Sequence, residues 1–315
     1  MNTPGFGTEE SYFLQNTNGE NFSVLCIMPP GNPIGIVQVL HGMAEHSGRY
    51  REFGFFLAKH GFGLVAADHP GHGKTAPDTA SLGVLPPSNG WEIMLSNAQL
   101  LYTHIRTKFS QAPVYLLGHS MGSILAQHLT AYYPVYIQGL MLSGSFQVPV
   151  WKVELLKAFL KLQGLFMGFN KKSRWFNKLF FHSFNKHFKK SNTGFDWISS
   201  SSEEILEYID DPFCGFNCSI GFFYNLARGI KSTKKVSKRI TYRKTLPLLI
   251  FGGQEDPVGN FGKDAMAMHR EFYKQRFQNL SVKIFHGRHE MLHEKNKNKV
   301  YEYLLNWMLE QINTR

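Results

Sequence analysis

Apolar residues along the chain fall into short runs of strand length that alternate with longer segments of helical periodicity. The strand-like runs lie at residues 22–28, 34–40, 63–67, 113–117, 137–142, 246–251 and 280–285. The helical segments lie at residues 50–60, 91–109, 123–133, 263–276 and 300–312. Repeated strand–helix units are typical of a mostly parallel central sheet flanked by helices on both faces. The pattern therefore predicts an α/β fold that binds ligands at the carboxyl ends of its strands.

The alternation is interrupted by a helical, aromatic and charged segment, which we interpret as an inserted cap. The core then comprises residues 1–146 and 236–315, and the cap comprises residues 147–235. One predicted cap helix carries an apolar face formed by Leu155, Phe159, Leu162, Phe166 and Phe169. Lys157 and Lys161 fall on its opposite side. Such amphipathic spacing favours a helix packed on the core over a face that contacts a membrane.

The net charge of +11 lies entirely in and beside this cap. Residues 151–190 carry +9, residues 191–227 carry −6 and residues 228–244 carry +8. Two interpretations stay open: an ordinary solvated surface, or peripheral contact with an anionic membrane. The second interpretation rests on five lysines: Lys157, Lys161, Lys171, Lys172 and Lys178. No recognition motif accompanies the charge, so we expect no nucleic-acid partner.

Length and composition indicate a chain that can bury a large core. Of its 315 residues, 43% are hydrophobic, yet no run of eighteen apolar residues occurs. The first ten residues have neither the basic nor the apolar region of an export signal. Cys26, Cys214 and Cys218 match neither a disulfide framework nor the spacing of a zinc site. We therefore expect a soluble, cytoplasmic protein that needs no metal and no cofactor.

The segment Gly118–His119–Ser120–Met121–Gly122 carries the first sign of chemistry. It follows a buried-strand signal and precedes a helical segment that Pro134 is expected to end. Glycines at both ends of the motif allow the chain to pass close to itself in a sharp strand-to-helix turn. The setting predicts a nucleophile elbow that presents the Ser120 hydroxyl at the sheet edge.

Two further loops end at the same predicted edge. Residues 252–257 follow one strand and include Glu255 and Asp256, and residues 286–290 follow the next. A serine nucleophile needs a base and an acid that orients the base, in the chain order Ser, Asp or Glu, His on such a sheet. We favour Asp256 as the acid, with Glu255 as the alternative.

For the base, three histidines of the last loop and the segment after it are candidates. We favour His289, with His286 and His293 as the alternatives. His119, beside the nucleophile, is expected to face its sheet neighbours. The N–H of Met121 is free at a helix start and is therefore a candidate oxyanion donor.

Five segments together resemble the α/β-hydrolase branch of monoacylglycerol lipases and bacterial lysophospholipases. They are residues 41–50, 68–75, 118–122, 254–258 and 287–294, and cap residues 195–197 and 211–216 resemble a bacterial subgroup. The resemblance implies an α/β-hydrolase fold with Ser120 as nucleophile, Asp256 as acid and His289 as base. It also implies an oxyanion hole formed by the N–H groups of Met43 and Met121.

Other residues of these segments are expected to support the site rather than react. Glu45, His46 and Arg49 are expected to hold the oxyanion loop, and Asp68 and His72 to brace a neighbouring loop. The sequence departs from the family at two positions, with Ser123 for a frequent glycine and Thr75 for a frequent serine.

The resemblance implies a serine hydrolase that cleaves the carboxylic ester of a monoacyl lipid, either a lysophospholipid or a monoacylglycerol, as a small-molecule substrate. One alternative is a proline-type aminopeptidase, in which an acid of the cap would receive a peptide amine. The candidate acids are Glu203, Glu204, Glu207, Asp210 and Asp211. The other alternative is a non-catalytic lipid-binding protein on the same fold.

Overall fold

The computed structural model describes residues 7–132, 136–188, 193–239 and 243–313, which form one eight-stranded sheet. Its strands are β1 Thr8–Gln15, β2 Asn21–Met28, β3 Gly35–Leu40, β4 Phe62–Ala67, β5 Val114–His119, β6 Gly139–Ser143, β7 Leu248–Gly253 and β8 Leu280–Phe285. They lie in the order β1-β2-β4-β3-β5-β6-β7-β8. Strand β2 pairs antiparallel with β1 and β4, and all other pairs are parallel. The predicted mostly parallel sheet is confirmed.

Helices cover both faces of this sheet. The described helices are α1 Arg51–Lys59, α2 Gly90–Lys108, α3 Met121–Tyr132, α4 Val150–Met167, α5 Arg174–Asn185, α6 Ser202–Asp210, α7 Ile220–Arg239, α8 Lys263–Lys274 and α9 Lys297–Asn313. Among them, no helix combines the length and apolar character needed to cross a membrane. Pro134, expected to end α3, lies outside the described residues.

Successive side chains of the central strands pack alternately into two hydrophobic cores, one on each face of the sheet. Leu116 packs in the core beneath α2, α3, α7 and α8, whereas Leu117 packs in the core beneath α1 and α9. Side chains alternate across a strand, so a strand covered on both faces must be apolar at every position. This explains why β5 reads as a continuous apolar run in the sequence.

The sequence pattern gave no prediction of β1. This strand lies at the edge of the sheet and pairs with β2 along its whole length, from Thr8 opposite Met28 to Gln15 opposite Asn21. Its residues are exposed or half-buried. An edge strand with so little burial carries hardly any apolar pattern from which it could be recognised.

Helices α4–α7 lie in the chain between β6 and β7. Helices α4–α6 fall within the predicted cap, whereas α7 packs in the core and ends at Arg239, beyond the predicted cap end at residue 235. The prediction that the apolar face packs on the core is wrong for its four residues in α4, whereas Phe169, just beyond the helix, does pack against the core. Leu155 is 64% exposed, Leu162 is 55% exposed and Phe166 is 83% exposed, and Phe159 is exposed as well. The buried positions of α4 are instead Val153, Leu160 and Gly164. The helix is apolar on more than one side, and it packs against α7 through the narrower stripe.

Candidate active site

Ser120 occupies a sharp turn between β5 and α3. Its φ is +52°, a left-handed conformation that costs a non-glycine residue free energy and is held only by surrounding structure. A Cβ at Gly118 would lie 2.4 Å from the Gly122 carbonyl oxygen, and a Cβ at Gly122 would lie 1.9 Å from the Leu40 carbonyl oxygen. Both glycines are therefore required by close backbone approach. The strand–turn–helix setting read from the sequence is present.

The structure brings three of the predicted site residues into one hydrogen-bonded chain. The Ser120 hydroxyl donates to Nε2 of His289 over 2.9 Å. Nδ1 of His289 donates to Oδ1 of Asp256 over 3.0 Å. The side chains of His289 and Asp256 are each only 2% exposed. The arrangement has the connectivity of a nucleophile, a base and an orienting acid.

The alternatives left open by the sequence lie elsewhere. Glu255 contacts Nδ1 of the exposed His286 at 3.2 Å, away from Ser120. His293 is buried, and its Nε2 donates to the carbonyl oxygen of Arg49 over 2.9 Å. Of the three histidines, only His289 has a hydrogen bond to the Ser120 hydroxyl.

The surroundings of His289 favour its protonated form. Burial by itself lowers the pKa of the imidazole, but the charge of Asp256 and its hydrogen bond outweigh burial and raise the pKa above the ordinary 6.5. His119 packs its ring 4.8 Å from that of His289, and Nδ1 of His119 contacts the Ser143 hydroxyl on β6. Burial, followed by the neighbouring His289, lowers the pKa of His119 and keeps it neutral. The expected sheet-facing position of His119 is thus observed.

The predicted oxyanion residues, Met43 and Met121, both line the cavity that contains Ser120. Met121 is the first residue of α3, where backbone N–H groups have no partner within the helix. Met43 lies in the turn after β3, between Gly42 and Ala44. A Cβ at Gly42 would lie 2.7 Å from Oε1 of Glu45 and 3.4 Å from Cβ of Ser120. Glycine is needed there for the turn to approach the serine this closely.

A cavity of about 180 Å³ opens above Ser120. Most of its wall is apolar and comes from Phe146, Val148, Phe181, Phe184, Trp197, Leu226 and Val258. Its polar lining includes Glu45, Tyr208 and Glu290. Such a cavity accommodates a hydrocarbon chain against aromatic and aliphatic side chains and a hydrogen-bonding group against the polar residues.

Two buried carboxylates share one guanidinium beside the site. Nη1 of Arg49 donates to Oε2 of Glu290 over 2.7 Å and lies 3.5 Å from Oε2 of Glu45. Burial and the charge of Glu290 raise the pKa of Glu45 to about 7, against the opposing effect of Arg49. The expected supporting role of Glu45 and Arg49 agrees with these contacts, but sequence reasoning missed Glu290. Its position directly after His289 was the only available signal.

The other supporting residues brace loops. Oδ1 and Oδ2 of Asp68 accept the N–H groups of Ser47 and Lys74, each over 2.8 Å. Thr75 donates its hydroxyl to the Asp68 carbonyl oxygen over 2.9 Å, and Ser123 donates to the Ser120 carbonyl oxygen over 2.6 Å. Ser123 therefore adds a hydrogen bond that glycine could not make, whereas Thr75 keeps the hydroxyl that serine would also supply.

One cluster in the described part of the chain places three possible metal ligands together: His46, Asp211 and Cys214. Nδ1 of His46 accepts the Gly48 N–H over 3.2 Å, so Nε2 carries the proton and donates to Oδ2 of Asp211 over 2.8 Å. A metal ion would need the lone pair that this proton occupies. We therefore interpret the cluster as a hydrogen-bonded contact between the oxyanion loop and the cap.

Comparison with known proteins identifies the family. The family described as serine aminopeptidase, S33 (Hydrolase_4), matches residues 31–296. The chain belongs to this family. It is also similar to the monoglyceride lipase of Mus musculus, with 22% identity over 303 residues that cover 95% of this chain and 90% of the mouse protein.

Solved structures of other proteins agree with the fold. A carboxyl esterase from Bacillus coagulans, in complex with glycerol, superposes with a TM-score of 0.86 at 25% identity, covering 97% of this chain and 99% of the esterase. A monoglyceride lipase from Saccharomyces cerevisiae superposes with a TM-score of 0.73 at 17% identity, covering 96% of each chain. The α/β-hydrolase fold and the resemblance to the monoacylglycerol lipase branch are thus confirmed.

Proposed function

We propose that this protein is a serine hydrolase that cleaves the carboxylic ester of a monoacyl lipid, either a monoacylglycerol or a lysophospholipid. The observation that carries the proposal is the hydrogen-bonded chain from Ser120 through His289 to Asp256 at the base of a largely apolar cavity. Relatives named monoglyceride lipase support an ester of a lipid as the substrate. The apolar wall of the cavity would contact the hydrocarbon chain of such a substrate, and its polar residues would contact the polar group.

The proposed reaction passes through an acyl-enzyme. Ser120 Oγ attacks the ester carbonyl while Nε2 of His289 takes its proton, and Asp256 stabilises the resulting imidazolium. The N–H groups of Met43 and Met121 stabilise the oxyanion. His289 then gives the proton to the departing alcohol. A water molecule, activated by the same imidazole, attacks the acyl-enzyme, releases the fatty acid and restores Ser120.

The test is a comparison of the wild-type protein with Ser120→Ala on a panel of lipid esters, with products identified by mass spectrometry. We expect wild-type turnover, fluorophosphonate labelling on the peptide that contains Ser120, and loss of both in the variant, because triad members act as a unit. A matched control is Ser88→Ala, since this serine is exposed and does not line the cavity. Labelling retained by Ser120→Ala would refute the assignment of the nucleophile.

The aminopeptidase alternative would place a peptide amine against acids of the cap. None of those five acids lines the catalytic cavity in the described structure. Glu204 instead contacts Lys297 at 2.6 Å, and Asp211 contacts His46 at 2.8 Å. The acidic side chains at the cavity are Glu45 and Glu290. Amino-acid p-nitroanilides included in the same panel distinguish the two activities, and an inert wild-type protein would favour the lipid-binding alternative.

We further propose that the cap contacts anionic membranes through α4. Five large apolar side chains of this helix are each more than half exposed: Trp151, Leu155, Leu162, Leu165 and Phe166. Lys161 is exposed on the same helix. Of the lysines in the sequence hypothesis, Lys157 instead forms an ion pair with Glu154, and Lys172 donates to the carbonyl oxygen of Ala80. Lys171 and Lys178 are exposed like Lys161, so the exposed apolar face and three of the five lysines together support membrane contact.

Vesicle co-sedimentation tests the membrane proposal. Burying one phenylalanine in an interface is worth about 1.5–3 kcal/mol, so Phe166→Ser is expected to weaken partition about tenfold or more. Tyr273→Ser is the matched control, because Tyr273 is 72% exposed on α8, outside the cap. Binding is expected to be stronger on vesicles with phosphatidylglycerol and to fall with salt. Equal partition of wild type and Phe166→Ser would overturn the proposal.

A further inference from the structure

The turn that carries the proposed oxyanion donor Met43 is anchored on both sides. On one side, the Gly42 N–H donates to Oε1 of Glu45 over 2.5 Å. On the other side, the carbonyl oxygen of Ala44 accepts two hydrogen bonds. The Tyr208 hydroxyl donates to it over 2.8 Å, and the Gly215 N–H donates to it over 3.0 Å. These contacts fix the 41–42 and 44–45 peptide groups, one residue outside Met43 on each side. The Gly42 carbonyl oxygen, in the same peptide as the Met43 N–H, accepts a hydrogen bond from Nδ1 of His41 over 2.8 Å.

The second anchor comes from the cap. Tyr208 lies in α6 and Gly215 lies in the loop that follows it, far along the chain from the turn after β3. The same loop contributes Asp211, which accepts a hydrogen bond from His46 over 2.8 Å. Ala44 has a φ of +58°, a conformation that alanine does not hold without external contacts. The cap thus supplies contacts that the strained turn needs.

We propose that Tyr208 is a positioning residue, through which the cap holds the Met43 N–H in its oxyanion-binding orientation. This inference rests on the proposed serine hydrolase function and deepens it. The Tyr208 hydroxyl acts on the Ala44 carbonyl and not on the reacting atoms. Burial raises the pKa of Tyr208 well above its ordinary value, so the hydroxyl remains a donor.

The ring of Tyr208 is held independently of its hydroxyl. The Arg49 guanidinium lies 4.9 Å from the ring centroid, and the ring of Phe195 packs 5.1 Å away. Replacing Tyr208 with phenylalanine therefore removes one hydrogen bond and leaves these contacts in place. The Gly215 N–H remains on the Ala44 carbonyl, so the turn is loosened rather than released.

The test compares wild type with Tyr208→Phe on p-nitrophenyl acetate, whose acyl group is too short to reach along the cavity. Complete removal of an oxyanion donor costs a hundredfold or more in kcat. Loosening the turn is expected to lower kcat about tenfold, with KM within about twofold of wild type. The rate of fluorophosphonate labelling is expected to fall in parallel, because the phosphoryl oxygen occupies the same oxyanion hole.

The matched control is Tyr115→Phe. The Tyr115 hydroxyl also donates to a buried carbonyl, that of Met308 over 2.9 Å, but it lies in the core beneath α9. Tyr115→Phe is expected to have a lower melting temperature than wild type and an unchanged kcat. The comparison therefore distinguishes a positioning effect on kcat from a general loss of stability. A Tyr208→Phe protein that matches wild type on the short ester, or that slows only on long-chain esters, would overturn the inference. An inert wild-type protein would overturn the proposed function itself.

Discussion

Acid should destabilise this protein through a histidine buried beside the oxyanion loop. His72 is completely buried, with its ring packed against those of His41 and Phe222. Nδ1 of His72 donates to the Pro70 carbonyl oxygen over 3.0 Å. Burial lowers the pKa of His72 from 6.5 to about 4, although the Pro70 carbonyl and Asp68 act in the opposite direction. The folded protein therefore holds this imidazole neutral at a pH where the unfolded chain protonates it.

The sign and size of the effect follow from linkage. Between pH 6.5 and 4 the unfolded state binds more protons at His72, so the stabilising contribution is full above 6.5 and is lost as the pH falls. One pKa unit corresponds to about 1.36 kcal/mol. Lowering the pH from 7.5 to 5.0 should thus remove about 2 kcal/mol of unfolding free energy through this one residue.

The contribution of His72 is measured by urea unfolding of wild type and variants at pH 7.5 and at pH 5.0. For each protein, the loss of unfolding free energy between the two pH values is compared. His72→Asn keeps a side-chain donor for Pro70 but does not titrate, so its loss of unfolding free energy between the two pH values should be about 2 kcal/mol smaller than that of wild type. His60→Asn, at an exposed helix end, should lose as much as wild type. Losses for wild type and His72→Asn that agree within about 0.5 kcal/mol would refute the reasoning.

Three further outcomes are expected at the elbow and the base. Gly122→Ala should abolish soluble expression or activity, because its Cβ would lie 1.9 Å from the Leu40 carbonyl oxygen, whereas Gly194→Ala, with open space around it, should behave as wild type. His289→Ala should lose nearly all ester turnover and His286→Ala little, measured on a p-nitrophenyl ester; equal losses would contradict the assignment. Since His289 must be neutral to accept a proton and its pKa is raised, kcat/KM should fall with decreasing pH through a midpoint above 6.5, and a midpoint below 6 would contradict the structure.

The sequence was most informative where a residue type is required by close backbone contacts of its own turn. The Ser120 turn could be recognised because Gly118 and Gly122 are required by contacts within a few residues of each other or with the adjacent strand. The choice among three histidines stayed open, because it depends on which ring reaches the serine. The loop that carries them bends at Gly287, whose φ is +147°, and the His289 N–H donates to the carbonyl oxygen of Trp197, a partner 92 positions away that the residue pattern does not indicate.

Features that depend on distant partners could not be read from the pattern. Glu290 is buried because Arg49 neutralises it, and the two residues are 241 positions apart in the chain. The orientation of α4 depends on α7, against which the helix packs, with Val153, Leu160 and Gly164 buried. A helix with apolar residues on more than one side gives no local indication of which side a partner will cover.

The position of the cap in the chain bears on how substrate preference is altered. The cap leaves the sheet after β6 and returns at β7, and these strands are parallel neighbours that require a crossover connection in any case. Each doubling of a connection's length costs only about 0.6 kcal/mol of loop-closure entropy. A change in the length of the cap therefore has, through this entropy, little effect on the free energy of unfolding. A graft that exchanges residues 150–219 would leave α7 in the core, but it would remove the Trp197 carbonyl oxygen, which accepts the His289 N–H over 3.3 Å. Such a graft removes Tyr208, so the incoming cap would have to supply its own donor to the Ala44 carbonyl. If Tyr208 has the positioning role proposed above, exchanging the cap would also alter the oxyanion hole.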